Sequence, residues 1–228
     1  MQIHVVQARP VPRPVERLTD TELIASILAG DTRAMEALMR LHNRTLYRTA
    51  RAILRDDAEA EDAVQEAYLQ AFRALRTFRG ESRLSTWLVR ITANEALMHR
   101  RRNVRAALVV PMDVYVEPDS LVSDEAGPER DAQRGEMRRL LEERIDALPD
   151  GYRAVFVLRA LEELTVEETA AALGVPEATV RTRYFRARGL LREWMAGDVD
   201  MTLDDAFTFA GLRCDHIVKE VFAALRVG

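Results

Sequence analysis

The sequence predicts an all-α chain: two small helical domains joined by an extended acidic linker, the second a helix-turn-helix domain, then a C-terminal helical extension. Three observations carry this. Apolar residues recur at helical spacing through most of the chain, and no usable stretch alternates with the period of two that marks a strand. The periodicity stops over residues 111–130, "PMDVYVEPDSLVSDEAGPER", a run rich in proline and carboxylates. Beyond it a short helical pattern, a turn glycine and a longer helical pattern follow directly, which is the order of a helix-turn-helix. The expected division is a leader (1–18), an N-terminal domain (19–105), the linker (106–130), the helix-turn-helix domain (131–196) and the extension (197–228).

The elements can be justified in order. The opening "MQIHVVQARPVPRPVERL" lacks the apolar centre of a secretion signal and reads as a flexible Pro/Arg leader. Four helices are expected between residues 19 and 102. Asp31, after Gly30, is an N-cap, and its helix carries Ala34, Leu38, Leu41, Leu46 and Ile53 as the apolar side. Asp56 or Asp57 caps the third, whose stripe is Val64, Ala67, Tyr68, Ala71, Phe72 and Leu75. Gly80 breaks the chain in "FRGES", and Ser82 or Ser85 starts a fourth helix with Leu84, Trp87, Leu88, Ile91 and Leu97 on one face. That spacing makes Trp87 a core residue rather than a stacking platform.

After the linker, residues 135–147 and 149–161 read as helices. Thr165 and Glu168 form a capping-box pattern, Gly174 ends the helix they open, and Pro176 begins the next. The extension reads as one short and one longer amphipathic helix, with Phe207, Phe209, Ile217, Val218, Val221, Phe222 and Leu225 as its apolar side. The expected partner of that side is the helix-turn-helix domain.

Composition and charge narrow the function. No apolar run approaches the ~20 residues that span a bilayer. Four scattered histidines and the single Cys214 offer no metal-ligand spacing and no internal disulfide. No metal or cofactor is therefore expected, and a reducing cytoplasm is the simplest compartment. No nucleophile–base set or phosphate-binding glycine loop is present, which argues against an enzyme. The net charge of −4 hides an asymmetry: residues 1–110 hold 18 arginines against 13 carboxylates, whereas residues 111–146 hold 5 basic and 11 acidic groups. Blocks of opposite sign suggest parts that meet different partners.

The segment "ATVRTRYFRARGLLREW" places five arginines in one helix. On a wheel of ~100° per residue, Val180, Tyr184, Ala187, Leu191 and Trp194 form the buried stripe. Thr182, Phe185, Arg186 and Glu193 fall opposite. Arg181, Arg188 and Arg192 share a flank, and Arg183 lies at the edge of the core. Arg181, Thr182, Phe185 and Arg186 thus occupy the open face of the N-terminal half, the half that enters the major groove in helix-turn-helix readers. Arginine forks onto guanine and phenylalanine meets a thymine methyl, while Arg188, Arg192 and Arg183 suit phosphates or internal pairs.

Two more constellations lie in the basic block. In "DAEAEDAVQEAYLQAF", Asp62, Gln65, Glu66 and Leu69 face away from the apolar stripe, a face that by itself needs only solvent. The loop Phe78, Arg79, Gly80, Glu81 and Ser82 precedes a helix that ends in Arg100, Arg101, Arg102 and Arg105. Such a helix end can complement the helix dipole, or it can hold a displaced strand.

Taken together, these motifs resemble the extracytoplasmic-function (ECF) class of bacterial RNA polymerase sigma factors over about residues 21–195. The resemblance rests on "DAEAEDAVQEAYLQAF", "FRGESRLSTWLVRITANEALMHRRR", the acidic linker and "LPDGYRAVFVLRALEELTVEETAAALGVPEATVRTRYFRARGLLRE" in that order. It implies a transcription initiation factor that performs no chemistry itself. Asp62, Gln65, Glu66 and Leu69 would bind the coiled-coil arm of the largest subunit of core polymerase. Phe78–Ser82 would capture a flipped base of the minus-ten element, with Arg90, Asn94, Arg101 and Arg102 on its upstream edge. Arg181, Thr182, Phe185, Arg186 and Arg188 would read the minus-thirty-five element. The linker would thread the polymerase cleft, and an anti-sigma factor is an expected partner. A stand-alone helix-turn-helix regulator, or a module that binds only polymerase or an anti-sigma factor, are the alternatives. The extension departs from a minimal member, and masking of a DNA- or polymerase-binding face is its sharper reading.

Overall fold

The computed structural model describes residues 18–107, 130–194 and 212–227, all helices and turns. Residues 1–17 of the leader, the linker from 108 to 129 and the part of the extension with Phe207 and Phe209 lie outside the described residues.

The N-terminal domain is built by α1 (Asp20–Leu28), α2 (Thr32–Leu54), α3 (Asp57–Ala74), a 3₁₀ turn (Leu75–Thr77) and α4 (Leu84–Ala107). Caps set the starts. Thr19 and Glu22 form a reciprocal capping box on α1, the Asp31 carboxylate accepts from Arg33 N and Ala34 N, and that of Asp56 accepts from Glu59 N. Helix α4 differs from expectation: neither Ser82 nor Ser85 caps it. Its first amide, Leu84 N, donates to Asp20 Oδ2 of α1 at 2.9 Å, so the cap comes from a distant helix. Helices α2, α3 and α4 pack against one another around Leu38, Met39, Leu46, Val64, Tyr68 and Leu88. Trp87 is buried there, edge-on to Phe78 with ring centroids 5.4 Å apart.

Leu41 is the exception to the expected α2 stripe, being 70% exposed. It lies ~120° from the centre of the buried sector. Arg48 and Ala52, further along that side of α2, are buried because the second domain covers them.

That domain consists of α5 (Arg130–Ala147), α6 (Asp150–Phe156), a π-helical turn (Val157–Leu161), α7 (Val166–Leu173) and α8 (Glu177–Trp194). The helix expected over 149–161 is thus a short α-helix that widens in its last turn. The capping box is present, with Thr165 N donating to Glu168 Oε2 at 2.8 Å and Glu168 N to Thr165 Oγ1 at 3.1 Å. Gly174 closes α7 at φ +64°, the left-handed conformation that glycine adopts without penalty.

The domains touch. Arg153 of α6 is completely buried and donates to the carbonyls of Ala52, Asp146 and Leu148 and to Asp150. Arg48 pairs with Glu162 at 3.4 Å and Arg51 with Asp146 at 2.8 Å. Helix α7 lies on α4, where Glu168 accepts from Thr86 Oγ1 at 2.8 Å and Arg83 Nη2 at 3.2 Å.

Helix α9 (Leu212–Val227) corrects one expectation. It packs not on the helix-turn-helix domain but on α2 and α3, burying Ile217, Val218 and Val221. Its Arg213 finds acids there: Asp57 and Glu61 lie at the start of α3.

Candidate nucleic-acid and polymerase interface

Helix α8 is seated by Val180, Ala187 and Leu191, all buried, with Tyr184 half-buried against Phe156. Trp194, expected in that stripe, is 36% exposed where the helix leaves the domain. Arg183 lies at the core edge, its guanidinium against Gly151, where a Cβ would come within 3.0 Å of it. Thr182, Phe185 and Arg186 stand on the open side, and Phe185 is 79% exposed.

Each polar group on that side is held lightly. Arg181 pairs with Glu177 one turn back at 2.7 Å, Thr182 Oγ1 donates to Ala178 O, and Arg186 Nη1 donates to the Tyr152 hydroxyl at 3.2 Å. Exposed pairs of this kind contribute roughly 0–1 kcal/mol, so an incoming acceptor replaces them at small cost. Beside this face runs a cleft lined by Arg159, Arg181, Tyr184, Phe185, Arg188 and Arg192. Arg159 and Arg188 place their Cζ atoms 5.5 and 5.7 Å from the Tyr184 ring centroid. Arg159 comes from the π-helical turn, ahead of the helix-turn-helix. Sequence reading on one wheel misses it, because its contribution depends on two elements meeting.

In the N-terminal domain, Arg79, Gly80, Glu81 and Ser82 are exposed, whereas Phe78 packs partly into the core beside Trp87. Gly80 has φ +69°, the left-handed conformation that glycine adopts without penalty. Along α4, Arg90, Asn94 and Arg101 are exposed on one face within ~40° of each other. Arg102 is exposed too, but ~100° further round. Arg83 continues the first face, and Glu168 of α7 sits on it. Burial pushes the Glu168 pKa up, but donation from Thr165 N, Thr86 and Arg83 outweighs it and holds the carboxyl below its ordinary value.

On α3, Asp62 and Glu66 are exposed. Gln65 and Leu69 are half-buried, and Leu69 packs against the core rather than standing clear. Glu66 Oε2 lies 2.9 Å from His99 Nε2 of α4, where the carboxylate accepts from the ring N–H. Among the described residues no cluster of metal-binding side chains occurs, and no helix is long and apolar enough to cross a membrane.

An acidic-faced helix packed on an arginine-ended one, followed by a helix-turn-helix with an open arginine face, is the layout of a two-part promoter-recognition protein. Residues 38–106 match the family described as sigma-70 region 2, and residues 138–191 the family described as sigma-70, region 4. The RNA polymerase sigma-H factor of Pseudomonas aeruginosa is 35% identical over 173 residues, covering 74% of this chain and 90% of that protein. The ECF RNA polymerase sigma factor SigM of Mycobacterium tuberculosis is 37% identical over 174 residues, covering 76% and 83%. Among solved structures, CnrH in complex with the cytosolic domain of CnrY is similar with a TM-score of 0.53 and 26% identity, covering 79% of this chain and 99% of that one. The sigma factor RpoE of Bartonella quintana, solved with the anti-sigma factor NepR, shares the fold at 24% identity and a TM-score of 0.52. The chain belongs to the ECF class of RNA polymerase sigma factors, non-catalytic subunits that direct core polymerase to promoters.

Proposed function

We propose that the chain divides promoter recognition between its domains in the cytoplasm. The N-terminal domain, residues 19–105, engages core polymerase through Asp62, Gln65, Glu66 and Leu69. Its loop Phe78–Ser82 receives a flipped minus-ten base, with Arg90, Asn94, Arg101 and Arg102 along the upstream edge. The helix-turn-helix domain, residues 131–196, reads the minus-thirty-five element with Arg181, Thr182, Phe185 and Arg186, while Arg188 and Arg159 hold phosphates. The linker, residues 106–130, carries its negative charge into the polymerase cleft. An anti-sigma factor is the inhibitory partner, by analogy with RpoE captured with NepR.

The observation that carries this is Phe185, a ring 79% exposed on a helix face flanked by Thr182 and Arg186. An aromatic left in water beside hydrogen-bonding and cationic groups is suited to a duplex groove, where it meets thymine methyls. Flipping a base costs a few kcal/mol of stacking, which a pocket and nearby cations offset in part. Mapping transcription starts on genomic DNA, with core polymerase plus the purified chain, tests the reading. New promoter-specific starts support it; DNA binding without new starts favours a stand-alone regulator.

A further inference from the structure

Helix α9 lies beyond both family matches, which end at residues 106 and 191. Its apolar side fills the groove between α2 and α3, and polar contacts fix its first turn. Arg213 Nη2 donates to Asp57 Oδ2 at 2.6 Å, its Nη1 donates to the Tyr47 hydroxyl, and its Nε pairs with Glu61 at 3.5 Å. Asp215 accepts from Arg40 at 2.8 Å, and Asn43 Nδ2 donates to Cys214 Sγ at 3.1 Å.

Asp57 is shared. Its Oδ1 accepts from Arg51 Nε at 2.7 Å, and the same guanidinium donates through Nη1 and Nη2 to Asp146 of α5 at 3.2 and 2.8 Å. A continuous chain of charges, Arg213–Asp57–Arg51–Asp146, therefore runs from the extension through α3 and α2 to the helix-turn-helix domain. The sign of the coupling follows from counting partners. Without Arg213, Asp57 keeps only Arg51 and the Tyr47 hydroxyl of its partners, draws harder on the Arg51 guanidinium, and leaves Asp146 a smaller share of it. Docking of α9 and docking of the second domain then support each other.

We propose that α9 is an internal clasp: seated through Arg213, it stabilises the contact between the two domains by way of Asp57 and so holds the chain closed. The consequence for transcription rests on the sigma reading above, but the closure itself does not. Two touching domains of this size occupy a body roughly 40 Å across. Elements centred at minus ten and minus thirty-five lie about 85 Å apart along B-form DNA. The closed chain cannot reach both, so the clasp opposes promoter engagement until polymerase separates the domains.

Single-molecule energy transfer between dyes at Arg76 and Glu193, introduced as non-natural amino acids in the full chain, reads closure without polymerase or DNA. Arg213→Ala and Ile217→Asp are compared with the parent, with hydrogen exchange over 213–226 reporting release of α9. The expected result is release of α9 and a rise of at least about fivefold in the open population for both variants. In an Asp146→Asn background, Arg213→Ala should add little further opening. An α9 that stays docked without Arg213, an open population unchanged after α9 is released, or a full Arg213→Ala effect in the Asp146→Asn background each overturns the clasp. Because these readings involve no transcription, failure of the clasp is distinguishable from failure of the promoter reading.

Discussion

Arg153 shows how much one side chain can decide. A guanidinium without solvent contact is expensive unless every donor is used, and here its partners come from three segments: the end of α2, the α5–α6 turn and Asp150. Burial lowers its pKa, against the pull of Asp150. Arg153→Met keeps the bulk but strands the carbonyls of Ala52, Asp146 and Leu148. The expected loss is about 3 kcal/mol in denaturant unfolding, with only partial recovery in Arg153→Lys, whose ammonium lacks the planar fork. The reading face behaves differently, because nothing there is buried. Arg186→Ala should leave unfolding unchanged and weaken minus-thirty-five duplex binding by about 1–3 kcal/mol, with relaxed preference at one guanine. A loss equal for all sequences would instead make Arg186 a phosphate contact. Tyr152→Phe removes only the partner that Arg186 uses in the free chain, and affinity should hold or rise.

At the scale of elements, α7 is a helix whose cap doubles as an interdomain contact. Glu168 closes the capping box and also accepts from Thr86 of α4 and from Arg83 just before it. Its folded-state pKa lies below the ordinary value of 4.5, so its contribution is complete above that pH and is lost as pH falls through the lowered value. The protection factors of α7 amides, corrected for the intrinsic slowing of exchange in acid, should therefore fall on acidification through the carboxylate range, and Glu168→Gln should flatten that dependence. Elements were also what the sequence disclosed best. The cap Asp31, the cap offered as Asp56 or Asp57 and found at Asp56, the Thr165–Glu168 box, Gly174 and the α8 stripe are local signals, and local signals survive folding. The α4 cap by Asp20 was not legible, since the two residues meet only in three dimensions. Leu41 misleads for the same reason: periodicity marks an apolar side but not where a second domain stops covering it. The seat of α9 was illegible too, because its apolar stripe fits any groove and the polar groups that choose one, on α2 and at the start of α3, are far from it in sequence.

Taken whole, the molecule sets acids of the second domain against arginines of the first. Arg83–Glu168 and Arg100–Asp150 are solvent-accessible and screened by salt, whereas Arg48–Glu162 is nearly dry, with side chains 3% and 7% exposed. Closure thus has a soft rim and a hard centre, so salt alone should not open it. The open face of α8 points away from these contacts, because Phe185, Thr182 and Arg181 remain exposed in the closed arrangement. Reading one element and reading both are therefore separable. Cysteines at Arg83 and Glu167, in a Cys214→Ala chain, can be joined across the α4–α7 contact by a short linker containing a reducible bond. The linked protein should bind an isolated minus-thirty-five duplex with the affinity of the unlinked one. With core polymerase it should give no promoter-specific transcript, and reductant should restore the transcript. Full transcription while linked would mean that the domains need not separate. Loss of duplex binding would mean that α8 is covered after all.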